Sequence, residues 1–109
     1  MMTIKAGEFW IANIPFTGGM NSKKRPVLIL WIDGNDAIVA AVTSSQPRTK
    51  TDVILTEWAS SGLRVISIVR LSRLDCFDKA LLIAKVGILS KSDADNLKQI
   101  WSLHIKLQF

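Results

Sequence analysis

The stretch Val27-Leu28-Ile29-Leu30-Trp31-Ile32-Asp33-Gly34-Asn35-Asp36-Ala37-Ile38-Val39-Ala40-Ala41-Val42 decides the fold. Its first six residues are apolar without alternation, which is the pattern of a strand covered on both faces. Asp33-Gly34-Asn35-Asp36 is a turn signal, and Ala37–Val42 returns as a second buried strand, so the segment is predicted to be a hairpin. Upstream, Glu8–Ile14 follows Gly7, is rich in bulky residues and stops at Pro15, as a strand does. Downstream, Thr51–Thr56, Arg64–Leu71 and Leu81–Val86 supply three more short β-rich runs.

The pattern then changes period. Ser90-Lys91-Ser92-Asp93 is a capping-box type start, in which a hydroxyl takes an orphan N–H and an acid sits at the positive end of a helix. Leu97, Ile100, Trp101, His104 and Ile105 follow at helical spacing, so Asp93–Lys106 is predicted to be an amphipathic helix. Strands first and one helix last predict a single domain over 1–109. The expected architecture is mainly β with a C-terminal helix, the sheet a small, strongly bent one or a barrel that the helix closes. A core this thin, in a chain with four Trp and four Phe, leads us to expect apolar surface buried by dimerisation.

Composition removes several function classes. With 49% hydrophobic and 21% charged residues the chain reads as a packed globule, not a disordered one. One Cys, Cys76, makes no internal disulfide, and with one His, His104, it cannot build a thiolate or imidazole zinc cage, so no metal or other cofactor is expected. No apolar run approaches the roughly 20 residues that span a bilayer, and no signal sequence is visible at Met1–Glu8, so a cytoplasmic protein without membrane contact is expected. Fourteen Lys+Arg against nine Asp+Glu give a net charge of +5, which favours an anionic partner, nucleic acid first.

Two segments between strands concentrate that charge. Thr17–Arg25 links the first two strands and ends in Lys23-Lys24-Arg25, while Thr43-Ser44-Ser45-Gln46-Pro47-Arg48-Thr49-Lys50 leaves the third strand rich in hydroxyls and cations. The end of one hairpin strand and the start of its neighbour meet at one sheet edge, so Arg25 and Thr43 are expected to lie close together. No Ser-His-Asp arrangement is available, because His104 lies on the terminal helix and reads as a residue at the edge of the core. Cys76 reads as a small buried hydrophobe, and Gly18-Gly19 is no phosphate-binding fingerprint. What remains is arginine and hydroxyl chemistry on a phosphodiester. A guanidinium fork can hold two phosphate oxygens and neutralise growing charge, and RNA brings its own nucleophile, the 2′-OH.

Gly7-Glu8-Phe9-Trp10-Ile11-Ala12-Asn13-Ile14-Pro15 followed by Lys24-Arg25-Pro26-Val27-Leu28-Ile29-Leu30 resembles the first hairpin of MazF/PemK-type toxins. Ala40-Ala41-Val42-Thr43-Ser44 is similar to their next strand, and Ser67 through Asp78-Lys79 to Val86-Gly87-Ile88-Leu89-Ser90 to their C-terminal half. The resemblance implies a homodimer of SH3-like barrels that cleaves single-stranded mRNA sequence-selectively and without metal. It also implies restraint by a cognate antitoxin with an acidic tail, and binding of operator DNA through the antitoxin complex. It assigns Arg25 and Thr43 as catalytic, Arg25 on the scissile phosphate and Thr43 on the pentacovalent oxyanion. Ser22, Lys23, Lys24, Ser44, Arg48, Lys50, Arg70, Arg73 and Lys79 are the candidate RNA contacts, and Ser67 aligns with a family serine.

This chain departs from the family in two places. Gly18-Gly19-Met20-Asn21-Ser22 stands where many members carry Gly-Ser-Glu-Gln. Asp75-Cys76-Phe77-Asp78-Lys79-Ala80-Leu81 lacks two downstream arginines, for which Arg70 and Arg73 are candidate substitutes. The rival expectation is a non-enzymatic protein on the same fold: a CcdB-type gyrase inhibitor, a DNA-binding regulator, or a degenerate homologue kept for antitoxin binding.

Overall fold

The hairpin at 27–42 forms the middle of a six-stranded sheet in the computed structural model of the chain, which describes residues 3–15 and 22–109. The strands are β1 (Glu8–Pro15), β2 (Ser22–Asp33), β3 (Asp36–Thr43), β4 (Asp52–Ile54), β5 (Ile68–Asp78) and β6 (Leu82–Ile88), followed by helix α1 (Lys91–His104). They lie in the order β4-β5-β3-β2-β1-β6, every pair antiparallel. Between the closing pair Asp33 and Asp36, Gly34 takes φ +61°, a conformation that its missing Cβ makes free.

The unalternating apolar run of β2 is explained by two small cores, one on each face. Leu28 joins Phe9, Ala40, Val42, Val53, Val69 and Leu71 beneath Leu97 of α1, with Ile100 and Trp101 half-buried beside it. Val27 and Ile29 point the other way, into Trp10, Ala12, Ala37, Val39 and Leu82. The mainly β class with one terminal helix is as expected. The sheet curls at register shifts in β1, in β2 beside Leu30, and in β5, where Leu71, Ser72 and Arg73 bulge between the partners of Ala41 and Ala40.

The curl stops short of a hydrogen-bonded barrel, since no ladder joins β4 to β6 among the described residues. Backbone packing bridges those edges instead. Ser61-Gly62, in the segment after β4, rest so closely on Val86-Gly87 of β6 that a Cβ on Gly62 or Gly87 would collide with main-chain atoms. Gly62 also has φ +92°.

Several element bounds differ from the sequence reading. Ser22–Arg25 belong to β2 rather than to a loop, because Ser22 to Arg25 pair with Pro15 to Ala12; residues 17–21 of the expected linker lie outside the described residues. The run 51–56 contracts to Asp52–Ile54, and the strand expected at 64–71 starts at Ile68 and continues to Asp78. The extension is mostly exposed and mixes charged with apolar residues, so it shows no steady apolar period, yet Leu74–Asp78 pair with Asp36–Ala40. The last strand is 82–88 rather than 81–86, and α1 begins two residues before and ends two before the predicted helix.

Ser90 caps α1 as expected, its Oγ accepting from the Asp93 N–H at 3.2 Å. The Asp93 carboxylate does not reach back in the box. Buried, it crosses to the segment after β4 and accepts from Thr56 N (2.9 Å), Thr56 Oγ1 (2.8 Å) and Glu57 N (3.0 Å). Burial alone would raise its pKa; these bonds and Ser90 outweigh that and hold it below the ordinary 3.8. A depressed folded pKa contributes stability above the unfolded value, lost as pH falls through the folded one.

Asp93→Asn is therefore expected to cost about 1–3 kcal/mol near neutrality. Its melting temperature should also fall less steeply than the wild type's on acidification below about pH 4. A thermal melt series against pH checks both. Gly87→Ala should destabilise by about 1–3 kcal/mol, the cost of overpacking, in a denaturant titration.

Candidate functional site

On the face opposite α1, strand alternation carries the second core toward the sheet end remote from the Gly34 turn. Along β2 this face presents Ile29, Val27, Arg25 and Lys23; along β3 it presents Val39, Ala41 and Thr43. The apolar lining thus becomes cationic within two residues. Val27 pairs with Ala41, and the same register continued by two residues sets Arg25 opposite Thr43. Both side chains line one cleft of about 790 Å³.

Lys23, Arg48, Arg70 and Arg73 complete its basic walls, against the single lining carboxylate of Asp75, with Ser45 and Gln46 at the rim and Ile14, Pro26 and Val27 beneath. Lys23 and Arg25 are exposed and make no ion pair among the described residues. Thr43 is half-buried. Its Oγ1 accepts from the Ser45 N–H at 3.2 Å and donates to Ser45 Oγ at 3.2 Å, which fixes the oxygen and leaves an exposed O–H free to swing. Arg70 lies on the floor, 7% exposed, with Nε 3.3 Å from Asp52 Oδ1. A concave surface with this charge balance is built for an anion, and a guanidinium beside a hydroxyl suits a phosphodiester.

The expected juxtaposition of Arg25 and Thr43 is therefore present, as are Lys23, Arg48, Arg70 and Arg73 around them. Ser22 and Lys24 alternate to the other side of β2, and Ser44 and Lys50 are exposed nearby without lining the cleft. Lys79 is elsewhere: Asp78 pairs with Asp36, at the opposite end of β3 from Thr43, about 24 Å away along the strand.

Other single residues resolve simply. Ser67 is buried and donates to the Val65 carbonyl at 2.9 Å, a structural bond. His104 is exposed on the last turn of α1 instead of edging the core. Cys76 is exposed as well, correcting the buried reading, because it lies on the polar extension of β5. Desolvation and the nearby charges of Asp36, Asp33 and Asp75 push its thiol up, away from thiolate reactivity. Asp75, which lines the cleft, and Asp52, buried against Arg70 of its floor, were missed, since cross-strand pairing, not local sequence, brings them there. Among the described residues no His/Cys/Asp/Glu group has metal-site geometry, and no helix is long and apolar enough to cross a membrane.

Residues 5–103 match the family of PemK-like, MazF-like toxins of type II toxin–antitoxin systems, and the chain belongs to that family. Among solved structures it is similar to a mycobacterial endoribonuclease in complex with its cognate antitoxin (TM-score 0.76, 13% identity, 98% of this chain and 99% of that one). It is also similar to the Mycobacterium tuberculosis toxin MazF-mt6 (0.70, 23%, 92% and 99%) and to MazF of a MazE-MazF complex from Deinococcus radiodurans (0.70, 21%, 98% and 100%). At these identities the likeness establishes a shared fold. No curated protein sequence matches the chain significantly.

The alternation of β2 makes a direct prediction for binding of a single-stranded oligonucleotide. Lys23→Ala should flatten the plot of log affinity against log salt by about 0.7, one phosphate contact, whereas Lys24→Ala should leave that slope unchanged.

Proposed function

We propose that the chain is a metal-independent, sequence-selective endoribonuclease toxin that cleaves single-stranded mRNA. The observation that carries the reading is the placement of Arg25 and Thr43 on one basic cleft, in a chain of the toxin family. Relatives of the same fold are named as endoribonucleases, one of them bound to its antitoxin, which supports both the activity and a cognate antitoxin partner here. A homodimer working in the cytoplasm, with operator DNA engaged through the antitoxin complex, completes the proposal.

In this mechanism the 2′-OH of the substrate attacks the adjacent phosphorus. The 2′-OH gives its proton to water as the P–O2′ bond forms, the P–O5′ bond breaks and the departing 5′-oxygen takes a proton from water, so the products are a 2′,3′-cyclic phosphate and a 5′-hydroxyl. Negative charge grows on the non-bridging oxygens of the pentacovalent transition state. Arg25 holds the scissile phosphate through its fork, and as a guanidinium stays protonated its contribution is electrostatic. Thr43 redirects its O–H from Ser45 Oγ to a phosphoryl oxygen, exchanging one exposed hydrogen bond for one to an anion, while the Ser45 N–H keeps its oxygen in place. The remaining cations neutralise flanking phosphates. DNA, which has no 2′-OH, is expected to bind without being cut.

Arg25→Ala is expected to lower single-turnover cleavage of a mixed RNA in EDTA by about 10²- to 10³-fold, the loss of one preorganised donor. Equal cleavage rates for the two proteins would reject the role of Arg25, and no cleavage by the wild type would favour a binding protein on the same fold.

A further inference from the structure

The cleft contains an ion pair that its stability does not explain. Asp52 of β4 and Arg70 of β5 are direct cross-strand partners, and Ala41, two residues below Thr43 on β3, flanks Arg70 on its other side. The side chains are 9% and 1% exposed for Arg70 and Asp52. The contact is nonetheless incomplete: Arg70 Nε, Arg70 Nη2 and Asp52 Oδ1 are all buried without a hydrogen-bond partner among the described residues. A buried charge pair with unmade hydrogen bonds is a cost where apolar residues would pack well. Asp52 is committed a second time, its Oδ2 accepting from the Arg48 N–H at 2.7 Å. One carboxylate thus holds two of the five cations of the cleft, one by its guanidinium and one by its backbone.

We infer that Asp52 is a positioning residue, and that it presents Arg70 as a fixed seat for the RNA phosphate neighbouring the scissile one. The deduction rests on the nuclease reading above and adds a second phosphate site to it. Arg70 shares the face of Thr43 and lies two paired positions inward, about 7 Å along the strand. Arg70 lines the cleft while its Nη2 makes no hydrogen bond to the described residues, and phosphate supplies two oxygens to a guanidinium fork. Seating that phosphate sets the register of the strand over Arg25 and Thr43, so the pair acts on alignment more than on affinity.

This division of labour is testable because charge and position predict opposite signs. Asp52 is itself an anion beside the RNA path, so Asp52→Asn should bind a 2′-O-methyl oligonucleotide of mixed sequence as tightly as the wild type or more so. The same variant should cleave RNA about 10- to 10²-fold more slowly at saturation, the cost of a small misplacement, and Asp52→Glu should recover part of the rate. Arg70→Ala should flatten the salt dependence of 2′-O-methyl binding by about 0.7, whereas Arg70→Lys should keep the slope and lose rate.

Saturating cleavage by Asp52→Asn at or above the wild-type rate would overturn the positioning role, as would an unchanged salt slope for Arg70→Ala. Thermal melts show which variants are folded, and Arg70→Lys keeps the question answerable if Asp52→Asn is not. A wild type that binds the oligonucleotide but never cleaves RNA would sink the nuclease reading alone. The slope test of Arg70 does not depend on it.

Discussion

The register between β2 and β3 is the constraint on which everything else depends. With Val27 against Ala41, strand alternation puts Val27 and Ile29 of β2 and Ala37 and Val39 of β3 into the second core and aims the same-face positions beyond Val27 and Ala41 at the open end. Arg25 and Thr43 are those next positions. A slip of β2 by one residue would turn Arg25 toward the helix side and Leu28 away from the core beneath α1, at the cost of burying a guanidinium against Val42, Val69 and Leu97. The hydrophobic pattern therefore fixes the site as firmly as it fixes the fold, and the cationic cleft is where the apolar stripe ends.

The rest of the scaffold keeps the sheet curled around that end. Bulges in β2 and β5 bend it, and the close approach of Ser61-Gly62 to Val86-Gly87 brings the free edges together without a ladder. Asp93 ties the segment after β4 to the start of α1 through three hydrogen bonds. Glu8 does similar work at the other edge, taking the Lys85 ammonium of β6 at 2.8 Å and the Trp10 indole N–H at 3.0 Å. Its burial would raise its pKa, but these partners and the Lys5 N–H hold it low, so this tie also weakens in acid. Polar bonds at the rims thus supplement two cores too small to close the sheet alone.

How much of this was readable beforehand follows from where the physics is local. The central hairpin, the first strand and the capped helix declare themselves through runs, turn residues and period, and all three lie where those signals put them. The extension of β5 through Ser72–Asp78 is exposed except for half-buried Phe77 and mixes charged with apolar residues without steady alternation, so only its partner strand makes it β. The same holds for the site. Arg25 and Thr43 could be matched because hairpin topology implies their meeting, but Asp52 meets Arg70 through a three-residue strand whose pairing no local pattern encodes. Lys79 followed the family motif in sequence and landed at the wrong end of the sheet for this cleft.

The proposed function reduces to one chemical idea: a protein that supplies charge and alignment while the substrate supplies the nucleophile. The most direct measurement replaces a single 2′-hydroxyl with hydrogen at a mapped cleavage position in an otherwise unaltered RNA. The account predicts that binding persists, that cutting at that position stops, and that fragments from the parent RNA end in a cyclic phosphate and a 5′-hydroxyl. Cutting at the deoxy position, or fragments that begin with a 5′-phosphate, would contradict it.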